Sequence, residues 1–340
     1  MLFGLVSLLA AAALSYGLLL WLRPFLARHT LAKPNARSSH KVPTPQGGGI
    51  AVLAAMLLVV TANQLVSGNS GLLGQQPGEF IRLAVIFAAA IGLALVGAID
   101  DVRPLDPIPR LVLQSVAVAV VIAMLPDRMR IVPFIPWWAD RALLVVGAVW
   151  LVNVVNFMDG IDWMTVAEVV PVAGVLGLFG ITGLLPPNAS LVALSLCGAM
   201  IGFAPFNRPV AQLFLGDVGS LPIGLLLSWL LATLAGTGHL AAALLLPLYY
   251  LADATITLFQ RLSKGERITQ AHRRHFYQRA LDGGLSVYSI VAGVFAVNVA
   301  LGALAIATVY IGSRSVDMAA LAAGGILVAA LLMNFNRVRS

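Results

Sequence analysis

Residues 80–101 read FIRLAVIFAAAIGLALVGAIDD. Between Phe80 and Ile99 only Arg82 is charged, and the run then stops at two adjacent carboxylates, Asp100 and Asp101. A helix rises ~1.5 Å per residue, so ~20 apolar residues cross the ~30 Å hydrocarbon core of a bilayer. The same texture fills the chain. Of its 340 residues, 60% are hydrophobic and 10% charged, against the ~25% charged of a typical soluble domain. Mean hydropathy is +0.94. This composition excludes an ordinary soluble enzyme, and its low charge and high apolar content oppose disorder. A transmembrane β-barrel would alternate apolar and polar residues along short strands, whereas the blocks here are continuous. The expected fold class is therefore all-α, a polytopic integral membrane protein.

Eleven candidate spans follow, at 2–22, 47–66, 80–99, 111–125, 142–157, 164–184, 188–205, 219–236, 239–258, 285–311 and 317–335. The fourth and fifth are short, so the reading is about 11 transmembrane helices (10–11). No polar stretch exceeds about 25 residues, which leaves room for one membrane domain over 1–340 and no separate soluble one. The first span has no basic residue before it, so it does not read as a signal peptide. The single Cys197 lies in an apolar block and excludes an internal disulfide.

Basic residues orient the chain. One face collects 16 of the 21 Lys and Arg, including Arg23, Arg28, Lys33, Arg37 and Lys41 in one loop and Arg261, Lys264, Arg267, Arg273, Arg274 and Arg279 in another. The positive-inside rule makes that face cytoplasmic. An odd number of spans then puts the N-terminus outside and the C-terminus in the cytoplasm. The net charge of +7 reads as topology, and nucleic acid is not needed to explain it. The cytoplasmic loops lie at about 23–46, 100–110, 156–163, 206–218 and 259–284. Ten of the 14 acids fall on the same face. Acids barely influence orientation, so their excess calls for a site that binds a metal or handles protons.

Each loop offers candidates. Asp100 and Asp101 close a helix, where the dipole and each other's charge disfavour them. A bound cation or a proton-transfer role would offset that; a solvated helix end is the plain alternative. Arg110 opens the next span, where a cation could meet lipid phosphate or merely anchor the helix. Asn156, Asp159 and Asp162 crowd one short loop. The i, i+3 spacing of the two acids would place them on one face of a helical turn, and hard oxygen ligands suit Mg²⁺. Asp217 sits between Gly216 and Val218-Gly219-Ser220, before another span; a helix N-cap would also explain it. His272-Arg273-Arg274-His275 could clamp a diphosphate or lie on the surface. Gly47-Gly48-Gly49 opens the second span and could bring a loop close to a ligand. A Walker A motif, a dinucleotide fingerprint and zinc-type Cys/His spacing are all missing from the sequence. Acids suited to Mg²⁺ beside a His/Arg cluster fit phosphoryl transfer, and a lipid phosphate acceptor explains a site built on membrane helices.

The motifs resemble the polyprenyl-phosphate N-acetylhexosamine-1-phosphate transferases. The likeness covers roughly residues 34–280. It rests on five motifs in order: Arg37 to Gly49, Asp100-Asp101 running to Gln114, Asn153 to Asp162, Asn207 to Ser220, and Asp253 through Arg261 to His272–Gln278. The resemblance implies a site in the bacterial inner membrane facing the cytoplasm. Asp217, with Asn156 and Asp159, would hold Mg²⁺, for which Mn²⁺ could substitute. Asp100 and Asp101 would lie beside the acceptor phosphate, Asp100 being a candidate base. Asp159 and His272 join them as catalytic candidates. Arg110 would contact the lipid phosphate. Asn156, Asp162, Arg273, His275 and Lys41 would bind substrate. A UDP-N-acetylhexosamine would be donor, undecaprenyl phosphate acceptor and UMP the leaving product; a homodimer is left open. Because the acceptor phosphate is largely ionised, positioning would matter more than a base.

Two details depart from the pattern or divide it. Trp163 stands where relatives usually carry Gly, which puts the local turn in question. The His-Arg-Arg-His-Phe-Tyr-Gln run looks like the branch that initiates O-antigen and capsule chains, with N-acetylglucosamine or a 6-deoxy relative as sugar. The peptidoglycan branch, which transfers phospho-muramoyl-pentapeptide, is the first alternative. A secondary transporter is the second, although transporters place their sites near the bilayer midplane.

Overall fold

The computed structural model describes residues 2–32, 43–70, 77–266 and 272–337. Lys41 and the preceding Arg37-Ser-Ser-His run lie outside them. The described residues form helices α1 (Leu2–His29), α2 (Gly48–Ser70), α3 (Pro77–Val102), α4 (Pro107–Ala123), α5 (Trp137–Met158), α6 (Met164–Ile181) and α7 (Pro187–Phe203). The helices α8 (Asp217–Gly236), α9 (Leu240–Leu245), α10 (Leu248–Leu262), α11 (Phe276–Asp282), α12 (Val287–Ile311) and α13 (Arg314–Arg337) follow. A two-stranded antiparallel ribbon, β1 (Leu31–Ala32) with β2 (Thr44–Pro45), joins α1 to α2. Eight of these helices are long and apolar enough to cross a membrane, and α4 and α7 are shorter apolar helices. The chain is an all-α polytopic membrane protein.

Ten of the expected spans have one helix each. The ninth, 239–258, is broken into α9 and α10 at Leu246-Pro247. Proline has no N–H to give the preceding turn and its ring crowds the carbonyl four residues back, so a helix cannot pass through it undisturbed. The expected loop 259–284 is also partly folded, since α11 lies within it.

Helix α8 is apolar on every side after its first turn, and such a helix is stable only when surrounded. It is buried along its whole length, packed against α2, α3, α5 and α9. Its start is pinned by close backbone crossings. A Cβ at Gly49 of α2 would collide with Gly219 Cα, and one at Gly97 of α3 would collide with the Asp217 carbonyl. These crossings bring the C-terminal end of α3 against the first residues of α8, so Asp100, Asp101 and Asp217 meet at one end of the bundle.

Candidate active site

Four helix ends converge there. Arg110, in the first turn of α4, is the hub. Its Nη1 donates to Asp100 Oδ2 at 2.5 Å and to Asp217 Oδ2 at 3.2 Å. Its Nη2 donates to Asn156 Oδ1 at 2.7 Å. Asn156 Nδ2 donates in turn to Asp217 Oδ1 at 2.7 Å and to Ser220 Oγ at 2.9 Å. The ring uses the planar, forked geometry that sets Arg apart from Lys. Asp100 also accepts from the Leu105 N–H at 2.6 Å, which folds the turn between α3 and α4. Ser220 is a member that the sequence did not single out, although it stands one helical turn from Asp217.

Asp101 plays a different part. Its carboxylate accepts the backbone N–H groups of Asp217 at 3.0 Å and Val218 at 3.2 Å. It therefore caps α8 from another helix, where orphan N–H groups and the helix dipole both favour a carboxylate. Asp217 itself is the first residue of α8 and caps nothing; the N-cap position is Gly216. Gly216 has φ +77°, and a Cβ there would press on Asp101 Oδ2 at 2.6 Å, so glycine is required. Gln46 donates to the Asp101 carbonyl at 2.8 Å. The Gly47–Gly49 run lies against protein backbone: Gly48 N–H donates to the Phe214 carbonyl and Gly49 N–H to that of Leu215, both at 2.9 Å.

The 156–163 loop departs from the single helical turn expected of Asp159 and Asp162. α5 ends at Met158, and Asp159 is its C-cap at φ −80°, ψ 48°. The two carboxylates part company. Asp159 accepts from the Thr165 hydroxyl, while Asp162 accepts the Ala211 N–H at 3.0 Å. α5 has already ended when the chain reaches Gly160, and Trp163, left-handed at φ +62°, is the N-cap of α6. The position where glycine was expected is thus one that glycine would fill without strain. Trp163 holds it by donating Nε1–H to the Ala204 carbonyl at 2.6 Å and packing edge-on to Tyr288 at 5.9 Å. Burial, with the charges of Asp101 and Asp162 adding to it, pushes the Asp159 carboxyl up to about 7.

The basic segment is less open than its sequence suggests. His275 is buried, and its Nδ1 faces Asp253 Oδ1 at 3.2 Å. Arg273 pairs with Asp282 at 2.9 Å, and Arg274 pairs with Glu266. His272 lies 4.9 Å from His275, ring centre to ring centre. Burial, with the His275 ring and the Arg261 and Arg274 cations beside it, lowers His272 to about 4, so its ring is neutral at pH 7. Asp253 lies inside α10 with no exposure, so it belongs to the scaffold of this segment.

Among the described residues no three His, Cys, Asp or Glu side chains form a ready-made metal cage. Mg²⁺ rarely uses one; it is held by one or two carboxylates together with waters and substrate phosphates. The oxygens of Asp217, Asn156 and Asp100, beside further acids and a single bridging Arg110, are a donor set of that kind.

Acids, an arginine and an amide thus meet at one end of an apolar bundle, next to a His/Arg segment. The sequence profile described as Glycosyl transferase family 4 matches residues 83–235. The chain is 30% identical over 271 residues to a phospho-N-acetylmuramoyl-pentapeptide-transferase of Chloroflexus aurantiacus, covering 70% of this chain and 72% of the relative. It is 27% identical over 339 residues to a decaprenyl-phosphate N-acetylglucosaminephosphotransferase of Mycobacterium tuberculosis, covering 88% and 80%. A phospho-N-acetylmuramoyl-pentapeptide-transferase of Kocuria rhizophila is 28% identical over 340 residues, covering 82% and 88%. The chain belongs to glycosyl transferase family 4 and is an enzyme of the prenyl-phosphate sugar-phosphate transferase kind.

Proposed function

We propose that this protein transfers an N-acetylhexosamine-1-phosphate from a UDP-sugar to undecaprenyl phosphate, releasing UMP and starting a lipid-linked cell-surface polysaccharide such as O-antigen or capsule. The observation that carries the reading is the Asp100–Arg110–Asn156–Asp217 ring at one end of an apolar bundle. A bilayer supplies the lipid acceptor at that level, and the charged donor arrives from water. The basic bias of the same end supports reading it as the cytoplasmic face of a bacterial plasma membrane, which would put the N-terminus outside and the C-terminus inside.

Asp217 and Asn156 would hold Mg²⁺, with Asp159 close by. The ion would supply neutralisation of the diphosphate and stabilise the leaving UMP. Arg110 offers a fork of N–H donors that phosphate oxygens can take over from Asp100 and Asp217. Asp100, released from that pair, would lie beside the acceptor phosphate as a candidate base. Asp101 keeps the first turn of α8 in register, so Asp217 presents its oxygens at a fixed height. His272 is neutral and could accept a proton, or donate a hydrogen bond, beside the phosphates. Arg273 and Lys41 would serve the substrate side, whereas His275, buried against Asp253, would hold the segment in place.

The second reading, a phospho-N-acetylmuramoyl-pentapeptide transferase, is favoured by the likeness to the Chloroflexus aurantiacus protein. A donor panel separates the two. Purified protein with undecaprenyl phosphate is offered UDP-N-acetylglucosamine, its 6-deoxy relatives and UDP-muramoyl-pentapeptide, and the lipid-linked product is weighed by mass spectrometry. A product mass matching an N-acetylhexosamine phosphate supports the first reading; one matching muramoyl-pentapeptide alone replaces it.

A further inference from the structure

Tyr277 has no part in the reaction as drawn, yet it joins the two halves of the site. It is fully buried, and its Oη donates to the Phe157 carbonyl at 3.1 Å. Phe157 follows Asn156 in the last turn of α5, where carbonyls have no partner within the helix. The same hydroxyl lies over Gly160. A Cβ there would collide with Tyr277 Oη and lie 3.1 Å from its Cζ.

On its other side Tyr277 is held by Asp253. That buried carboxylate accepts the N–H groups of Phe276 at 3.0 Å and Tyr277 at 3.3 Å. It also faces His275 Nδ1 at 3.2 Å and accepts the hydroxyls of Tyr249 and Thr257, both at 3.3 Å. The start of α11 is therefore fixed to α10, and its second residue reaches across to the acidic turn. Phe157 and His275 lie 6.4 Å apart, ring centre to ring centre, along the same seam.

We propose that Tyr277 is a positioning residue that fixes the basic segment 272–275 relative to the Asn156–Asp162 turn. The kinetic part of this proposal rests on the transfer reaction described above; the mechanical coupling does not.

Two variants test it in the full-length protein in detergent. Tyr277→Phe removes one oxygen and keeps the ring. Gly160→Ala puts a methyl where that oxygen lies. Amide exchange over residues 156–163 should rise about tenfold in Tyr277→Phe while α8 keeps its protection. With UDP-N-acetylglucosamine and undecaprenyl phosphate, kcat should fall about tenfold and KM change less than about threefold, because geometry is lost and binding groups are kept. Gly160→Ala should impair the wild-type background and cost clearly less in Tyr277→Phe, where the worst clash, with the oxygen, is gone and only the tight contacts with ring Cζ and Gln278 Nε2 remain. Unchanged exchange in Tyr277→Phe, an unchanged kcat despite faster exchange, or additive effects of the two substitutions would each overturn the proposal. If the wild-type protein transfers no sugar phosphate while exchange rises as expected, the assigned reaction falls and the coupling stands.

Discussion

Asp101, at the end of α3, caps α8 by accepting the backbone N–H groups of Asp217 and Val218, 116 and 117 positions away in sequence. A candidate catalytic residue is thereby joined to the placement of another. Asp101→Ala should cost ~1–2 kcal/mol, the ordinary scale of a lost N-cap. Asp101→Asn, which keeps one acceptor oxygen, should cost less. Thermal unfolding in detergent measures both. An alanine variant as stable as wild type would show that the cap contributes nothing.

Arg110 offsets Asp100 and Asp217 together and orients Asn156. Arg110→Lys keeps the charge and loses the fork, so the variant should fold while turnover drops by roughly 10²-fold, the scale of one lost electrostatic donor. Arg110→Ala should also destabilise, because two partly buried carboxylates are left facing each other. Full activity in the lysine variant would mean that charge alone suffices at this position.

Asp159 and His272 predict opposite pH effects. The folded Asp159 carboxyl titrates near 7, above its ordinary value. Its stabilising contribution is complete below pH ~4 and is lost as pH rises through 7. His272, lowered to about 4, contributes above pH ~6.5 and loses that contribution as pH falls through 4. Asp159→Asn should therefore gain in Tm over wild type as pH is raised from 5 to 8, while His272→Gln should gain over wild type as pH is lowered from 6.5 to 4.5. Differences that stay flat across these ranges would remove the electrostatic account of both groups.

Trp163 adopts φ +62° and holds the 204–213 loop through Ala204 and Tyr288. Trp163→Gly relieves ~1 kcal/mol of left-handed strain and gives up a hydrogen bond and an aromatic contact worth more together. A lower Tm is expected. A higher one would mean that the indole contacts contribute less than the strain.

The helices were legible because a bilayer fixes the length of an apolar run; the break in the ninth run was not, since α1, α6 and α8 pass through prolines while the chain at Pro247 does not. Asp100, Arg110, Asn156 and Asp217 were legible as polar residues at the ends of apolar blocks, where each needs a reason. The role of Asp101 was not, since capping across helices depends on a crossing at Gly97 that no local pattern announces. Asp159 and Asp162 were misplaced for a related reason: spacing assumes that a helix continues, whereas α5 ends at Met158 and α6 does not start until Met164. His275 read as an accessible cation because its partner, Asp253, is 22 residues away and buried. Trp163 did carry a signal, as the residue found where relatives usually have glycine.

The most direct test of the transfer reaction is release of UMP from UDP-N-acetylglucosamine by the purified protein with undecaprenyl phosphate, with and without Mg²⁺, in wild type and Asp217→Asn. The account predicts release that needs the lipid acceptor, disappears with EDTA, returns with Mg²⁺, and falls by at least about 10²-fold in Asp217→Asn although that variant elutes and melts as a folded protein. UMP release unaffected by EDTA, or full activity in Asp217→Asn, would contradict it.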